Sequence, residues 1–335
     1  MTNLSKVSVI LLNWNGLGDT IQCINSLRKI DYPNFEIIVV DNGSKDNSVS
    51  GLRKLKGIKL IENKANLGFA EGNNTGVRKA KGKYIVLLNN DTVVDKNYLA
   101  SMVKTIESSG NIALVGSKIN NLGDFYNRSE TKGNLINLLG EPLASEEGKT
   151  FMVSGCSMMF RKSIIGEPFD KDYFAYSEDT YVCWLARLKG YDVRIAKDSI
   201  VQHKGAKGRS KALNLVEFHG EKNKIMNPLI FYSRMSLLKI VPILLLNVFF
   251  TLVISTFKLR AHIRLKSYLW IIWHWKDILR KRRFVQSQRR IADKDLAEYI
   301  TCKVPYNLAG FEKAVNFLLF CYSWIFRLPV REVYG

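Results

Sequence analysis

Short apolar runs, each cut off by a polar cluster, set the rhythm of the first two hundred residues. Residues 7–12, 35–40 and 84–88 are largely apolar and compact. Such runs suit strands buried on both faces of a sheet. They end in Asn13-Trp14-Asn15-Gly16, in Asp41-Asn42-Gly43-Ser44 and in Asn89-Asn90-Asp91. Between them the apolar spacing lengthens to that of a helix, with Ile21, Ile24 and Leu27 along 17–29. Further helices are predicted over 47–56, 69–81 and near 97–108. Shorter strands are predicted at 58–61, near 112–115 and at 192–196. An interrupted strand is predicted over 151–160, where Gly155 marks a bulge or the close approach of a ligand. The polar, Gly-rich stretch 120–149 reads as a functional or mobile loop.

Strand and helix thus alternate. That pattern predicts an α/β fold with a mostly parallel sheet and right-handed crossovers. Ligands of such sheets bind at the carboxyl ends of the strands. One polar triplet is ordinary turn chemistry, because Asn, Asp and Gly favour turns. Three at corresponding strand ends make a candidate site. Asp91 stands out within it, since its hard oxygens suit Mg²⁺ or Mn²⁺ holding a diphosphate.

A second candidate lies in 169–191. Asp170, Tyr173, Phe174 and Tyr176 lead into Ser177-Glu178-Asp179, at the start of a helix predicted to stop at Gly190. Acids in a first turn complement the helix dipole. Two acids behind an aromatic cluster also suit a carboxylate whose pKa is raised for general-base work. Both readings stand on the local pattern. His203 follows the last predicted strand. A lone His is ordinarily a packing or surface residue, but here the chain is placed to return towards the strand ends.

Charge divides the chain. The net charge is +20 over 335 residues, yet residues 1–203 carry 26 basic and 22 acidic side chains, while 204–335 carry 24 and 8. A division into a domain at 1–225 and a basic, apolar helical tail at 226–335 is expected. A module this basic binds an anionic partner. No zinc spacing, helix-turn-helix signal or RNA-binding aromatic signature accompanies the charge, so nucleic acid is not the expected partner. The charge accompanies apolar runs instead. Residues 240–257 carry no charge and are bounded by Lys239 and Lys258. Basic flanks on both sides oppose a single crossing. Helices lying in an anionic membrane surface, or dipping into it, are the expected reading. A one- or two-span tail and a soluble helical appendage are the alternatives. The five cysteines are scattered, which suits reduced thiols in a cytoplasmic setting. The run 7–12 is too short for a leader and lacks a cleavage region.

Taken in order, the motifs resemble a known family. They are Val-Ser-Val-Ile-Leu-Leu-Asn-Trp-Asn-Gly (7–16), Val-Val-Asp-Asn-Gly-Ser (39–44), Asn-Leu-Gly-Phe-Ala-Glu-Gly-Asn-Asn-Thr-Gly (66–76) and Leu-Leu-Asn-Asn-Asp-Thr (87–92). Gly-Cys-Ser-Met-Met-Phe-Arg-Lys (155–162), Phe-Ala-Tyr-Ser-Glu-Asp (174–179) and Gln-His-Lys-Gly (202–205) follow. Over about the first 210 residues this ordered set resembles the family 2 glycosyltransferases, with the nucleotide-sugar-binding GT-A fold, and their rhamnosyltransferase-like branch in particular. The resemblance implies transfer of a sugar, with inversion, from a nucleotide-diphosphate sugar to a lipid-linked or other glycan acceptor at the cytoplasmic face of the cell membrane. It implies that Asn13, Asn15, Asp41 and Asn42 line the nucleoside pocket. The 66–76 segment, with Asn66, Gly68 and Asn73, would close over the nucleotide. Asn89-Asn90-Asp91 stands in place of the family's Asp-X-Asp motif, with Asp91 the ligand of Mn²⁺ or Mg²⁺ and His203 assisting. Asp179 would be the catalytic base and Glu178 its neighbour at the acceptor.

The chain departs from the family pattern at three places. Asn89 replaces the first acid of the metal motif. Tyr181 and Val182 occupy positions within a motif that often reads Glu-Asp-X-Asp-Leu. Leu185 replaces a frequent Arg, with Arg187 nearby. A catalytically inactive nucleotide-binding scaffold is the alternative reading, and the presence of both Asp91 and Asp179 argues against it.

Overall fold

Side-chain alternation and turn chemistry build a central sheet of eight strands. The computed structural model describes residues 4–121, 133–145, 148–205, 213–304 and 312–331. In chain order the first elements are β1 (Val7–Asn13), α1 (Leu17–Leu27), β2 (Phe35–Asp41), α2 (Ser48–Leu52), β3 (Ile58–Glu62) and α3 (Gly68–Lys79). Next come β4 (Tyr84–Asn89), β5 (Thr92–Val94), α4 (Tyr98–Glu107), β6 (Ile112–Asn121), β7 (Gly133–Asn137) and β8 (Pro142–Ser145). β9 (Ser157–Arg161), α5 (Lys162–Ile165), α6 (Glu178–Leu188) and β10 (Asp192–His203) follow. The large sheet runs β3-β2-β1-β4-β9-β6-β10-β5. β3, β2, β1 and β4 are mutually parallel. β9 enters antiparallel between β4 and β6, and β5 pairs antiparallel with β10. The interiors of β1 and β4 are buried on both faces, which is why their sequences read as unbroken apolar runs. Behind β9, hydroxyls satisfy one another in the core: Ser157 Oγ lies 2.9 Å from Tyr98 Oη and 2.8 Å from Ser117 Oγ.

Several predicted boundaries move. The strand expected over 151–160 is confined to β9, because the Gly155 N–H turns from the ladder to Asp179 Oδ2. The last strand runs seven residues further than expected, through an irregularity between Ala196 and Ile200, so His203 ends β10 instead of following it. The helix predicted over 47–56 contracts to α2. The stretch 120–149, expected to be a loop, contains β7 and β8, and part of it lies outside the described residues.

The chain divides into two compact units, one of 1–131, 153–186 and 191–210, the other of 132–152, 187–190 and 211–335. The second holds a three-stranded sheet, β11-β7-β8, with β11 at Ile300–Thr301. Its helices are α7 (Leu213–Phe231), α8 (Arg234–Phe257), α9 (Ala261–Trp273), α10 (Trp275–Ser287) and α11 (Glu312–Ile325). The expected 225/226 boundary falls within α7. Arg282 donates to the carbonyls of Leu229 and Tyr232, and Gln286 to those of Ile230 and Phe231. They thereby satisfy the carbonyls that a helix end leaves without partners.

Candidate active site

Parallel register brings the polar strand ends to one edge. Asn13 faces Asp41 across β1 and β2, and Leu12 faces Asn89 across β1 and β4. A continuous polar chain follows. Asn13 Nδ2 donates to Asp41 Oδ2 at 2.8 Å, while Asn13 Oδ1 accepts from Thr20 Oγ1 at 2.7 Å. Asn90 Nδ2 donates in turn to Thr20 Oγ1 at 2.9 Å. The other Asp41 oxygen accepts the Ser44 N–H at 2.9 Å. Asn15 has φ +51°, a left-handed conformation that Asn tolerates better than most residues. Its N–H donates to Ser44 Oγ and its Oδ1 accepts the Lys45 N–H, both at 2.8 Å.

Asn42 organises the 66–76 segment. Its Nδ2 donates to Asn66 Oδ1 at 2.9 Å and to the Gly68 carbonyl at 3.0 Å, and its Oδ1 accepts from Asn63 Nδ2 at 3.0 Å. Gly68 has φ +79°, and a Cβ there would lie 2.6 Å from the Phe174 carbonyl oxygen. Both facts require glycine. The Ala70 N–H donates to that same carbonyl at 3.0 Å, and Asn74 exchanges hydrogen bonds with the Phe169 backbone. The start of α3 is therefore pinned to the segment that leads into the acid pair. Asn73 is buried and donates to Phe69 O within its own helix at 2.8 Å, apart from the other candidate residues.

Asp91 and His203 come together. His203 Nε2 lies 3.2 Å from Asp91 Oδ1, and both side chains are about one-fifth exposed (19% and 21%). The pairing of His203 with Thr92 puts them there. The backbone carbonyl of Asp91 accepts the Lys204 N–H at 3.1 Å, and Lys204 Nζ donates to Asp19 and Gln22 of α1. Among the described residues no cluster of three or more His, Cys, Asp or Glu side chains is present. A carboxylate and an imidazole this close, both partly open, fit a hard cation that completes its shell with waters and diphosphate oxygens.

A strap at Gly155–Cys156 joins this edge to the acid pair. The Asn89 N–H donates to Cys156 O at 2.9 Å, and the Gly155 N–H donates to Asp179 Oδ2 at 3.2 Å. Asp179 Oδ1 accepts its second backbone bond from the Thr180 N–H at 2.8 Å. Burial raises the Asp179 pKa, and these backbone donors oppose the rise. Glu178 has less such help, with only its own backbone N–H opposing the rise. It is 7% exposed, and its Oε2 meets no hydrogen-bond partner among the described residues. Burial first, and then the Asp179 charge, push its pKa from 4.5 up to about 8. The environments thus differ: at Asp179 backbone donors oppose the upward push of burial, and at Glu178 burial and the neighbouring charge both push upward. Phe174, Tyr176 and Ser177, just ahead of the pair, adopt φ values of +57°, +71° and +61°. Non-glycine residues in that region are strained, and such strain concentrates at functional sites.

Arg187 turns away from any substrate role, because its guanidinium donates to the carbonyls of Thr150 and Phe151 and covers the Tyr299 ring at 4.2 Å. An open cleft of about 570 Å³ borders Asn15, Asp19, Asp46 and Lys204. On its wall Lys204 pairs with Asp19. Sequence reasoning did not single out Thr20, whose hydroxyl joins Asn13 to Asn90, or the Gly155 amide, which orients Asp179.

The sheet order and the polar strand-end edge define an α/β protein with a GT-A-like fold. Residues 8–167 match the family described as glycosyl transferase family 2. The chain is 34% identical over 121 residues to an uncharacterised glycosyltransferase of Haemophilus influenzae, covering 35% of this chain and 38% of that protein. It is 24% identical over 195 residues to a poly-beta-1,6-N-acetyl-D-glucosamine synthase of Staphylococcus epidermidis, covering 56% of this chain and 47% of the synthase. The match thus spans less than half the length of these curated relatives. Among solved structures, the fold is similar to the mannosyltransferase PcManGT of Pyrobaculum calidifontis in complex with GDP-Man and Mn²⁺. That match has a TM-score of 0.52 and 20% identity, and covers 66% of this chain and 62% of that one.

Proposed function

We propose that the chain is an inverting glycosyltransferase, taking a sugar from a nucleotide-diphosphate sugar to a lipid-linked or polymeric glycan acceptor. The observation that carries the reading is the Gly155–Cys156 strap, which holds Asp179 by one backbone bond and Asn89 by the next. Asp41, Asn13 and Asn15 receive the nucleoside, and Asn66 and Gly68 close beside it. Asp91 and His203 would hold Mn²⁺ or Mg²⁺, which when bound offsets the charge that develops on the diphosphate. Asp179 accepts the proton of the acceptor hydroxyl. The acceptor oxygen forms its bond to the anomeric carbon as the bond to the diphosphate breaks, and the diphosphate leaves with the electron pair. Attack from the opposite face inverts the centre. Glu178, protonated, offers a hydrogen bond to the acceptor. The basic second unit docks on an anionic membrane, at its cytoplasmic face.

Donor binding tests the reading. Nucleoside diphosphate sugars, including GDP-mannose, UDP-N-acetylglucosamine and dTDP-rhamnose, are expected to raise the melting temperature selectively and only fully with Mn²⁺. Saturation at a hundred times Kd stabilises by about 2.7 kcal/mol. Turnover on a lipid-linked acceptor with the selected donor completes the test. Binding without turnover would favour the scaffold reading, and no shift with any donor would remove the proposal.

Stability should report Glu178 independently. Its folded pKa is raised, to about 8 from 4.5, so the folded protein holds a proton that the unfolded chain releases. That contribution is complete below the unfolded value and is lost as pH rises through the folded one. Glu178→Gln is therefore expected to melt with the parent near pH 5 and several degrees above it near pH 9, by scanning calorimetry (about 1–2 °C per kcal/mol for a chain of this size). Parallel curves for the two proteins would show that Glu178 is ionised in the fold.

A further inference from the structure

Charged groups packed behind α8 decide between the two membrane dispositions that composition leaves open, lying in the surface or crossing it. α8 is long and apolar enough to cross, with 24 residues and a mean hydropathy of 2.5 over its most apolar window. Its outward stripe of Leu245, Leu246, Phe249, Phe250, Val253 and Phe257 is exposed. Its other side buries Ile240, Ile243, Leu244 and Ser255. α9 runs back along that side: Arg264 Nε donates to Ser255 Oγ at 3.4 Å, and Tyr268 Oη lies 3.5 Å from the Val248 carbonyl oxygen. α9 also binds the acids of α7. Arg260 pairs with Glu217 at 2.7 Å, Arg264 with Glu221 at 3.3 Å, and Tyr268 Oη donates to Glu221 at 3.0 Å.

Depth then follows from helix geometry. At about 1.5 Å per residue, α8 is roughly 36 Å long. Val248 lies at the middle of the uncharged run 240–257. A crossing helix would put Val248 near the bilayer centre, and with it the Tyr268–Glu221–Arg264 group. Ionised side chains at that depth are costly. Laid flat, the same helix presents only its apolar stripe to lipid and leaves α9 and α7 on the wet side. The ends agree: residues 234–260 contain no acid, and Arg234 and Lys239 at one end match Lys258 at the other. Pairing with a second copy along this stripe would bring like charges together whichever way the helices ran. Anionic headgroups would neutralise both ends at one surface.

We infer that α8 lies in the plane of a single anionic leaflet, with its 245–257 stripe at the acyl boundary and both ends on the same side of the bilayer. This rests on the membrane reading given above and goes beyond it.

The test uses the full chain bound to preformed, sealed phosphatidylcholine–phosphatidylserine vesicles. Met235→Cys and Leu259→Cys each place a thiol beside one end of α8, and labelling is scored against the parent chain with a membrane-impermeant maleimide. Both are expected to react before the vesicles are permeabilised. Reaction of one only after permeabilisation would mean a crossing helix and would overturn the inference while leaving membrane association intact. Phe249→Glu with Phe250→Glu should lower flotation by about tenfold or more, with an unchanged circular dichroism spectrum. Undiminished flotation of that variant, with a parent dimer turned into a monomer, would show that a second copy covers the stripe. A parent chain that fails to float with anionic vesicles overturns the membrane reading itself.

Discussion

Asp179→Asn is expected to bind donor as the parent does and to turn it over more slowly by a factor on the order of 10²–10⁴. The asparagine keeps the size of the side chain and an oxygen for one of the two backbone donors, Gly155 N–H at 3.2 Å or Thr180 N–H at 2.8 Å. It cannot take a proton from the acceptor hydroxyl. The loss should therefore appear in kcat and equally in kcat/KM for the acceptor, while donor affinity by calorimetry stays within about twofold. Glu178→Gln is the informative partner. Glu178 is already protonated near neutral pH, with its pKa pushed up to about 8, so the neutral amide resembles its working state. Its effect should fall mainly on acceptor KM. If Glu178→Gln is dead while Asp179→Asn turns over near the parent rate, the two roles are exchanged. If both variants work normally, the proton goes elsewhere and the proposed mechanism fails.

The parts of this arrangement legible in the sequence are those that a repeating pattern encodes. β1, β2 and β4 were readable because strands buried on both faces require unbroken apolar runs, and their polar ends marked the edge where ligands bind. The acid pair was readable because aromatics and a helix start surround it. Glu178 and Asp179 do lie in the first turn of α6, and burial raises both pKa values. What stayed hidden depends on contacts between distant segments. β9 slots antiparallel between two strands distant from it in the chain, which no local period announces. Gly155 acts through its backbone N–H, and a backbone donor leaves no signature in residue type. α7 escaped for a different reason. Its buried face includes Glu221, Lys222 and Lys224, so the alternation that betrays an amphipathic helix is overwritten by charges paired within the fold, among them Lys224 with Glu141 at 2.9 Å.

Asp91→Asn should separate metal-dependent from metal-independent donor binding. The fold of the turn does not depend on this side chain, because the Lys204 N–H bonds to the Asp91 backbone carbonyl at 3.1 Å and the substitution leaves that bond in place. What goes is the negative oxygen facing His203 Nε2 at 3.2 Å. An amide oxygen is a far weaker ligand for a hard dication than a carboxylate. Since Asn89 already stands where the family carries a first acid, no second carboxylate in the triplet can take over. Titrating a nucleoside diphosphate with and without Mn²⁺ should therefore show a large Mn²⁺-dependent gain in affinity for the parent and almost none for the variant. Turnover should fall by a factor on the order of 10², which corresponds to about 3 kcal/mol of lost charge stabilisation. His203→Ala should weaken the same Mn²⁺ response less, and adding it to Asp91→Asn should cost little more, because two residues serving one ion are not additive. An Asp91→Asn variant with the parent's full Mn²⁺ dependence would move the metal away from the end of β4. Additive losses in the double variant would mean that His203 acts on the donor independently of Asp91.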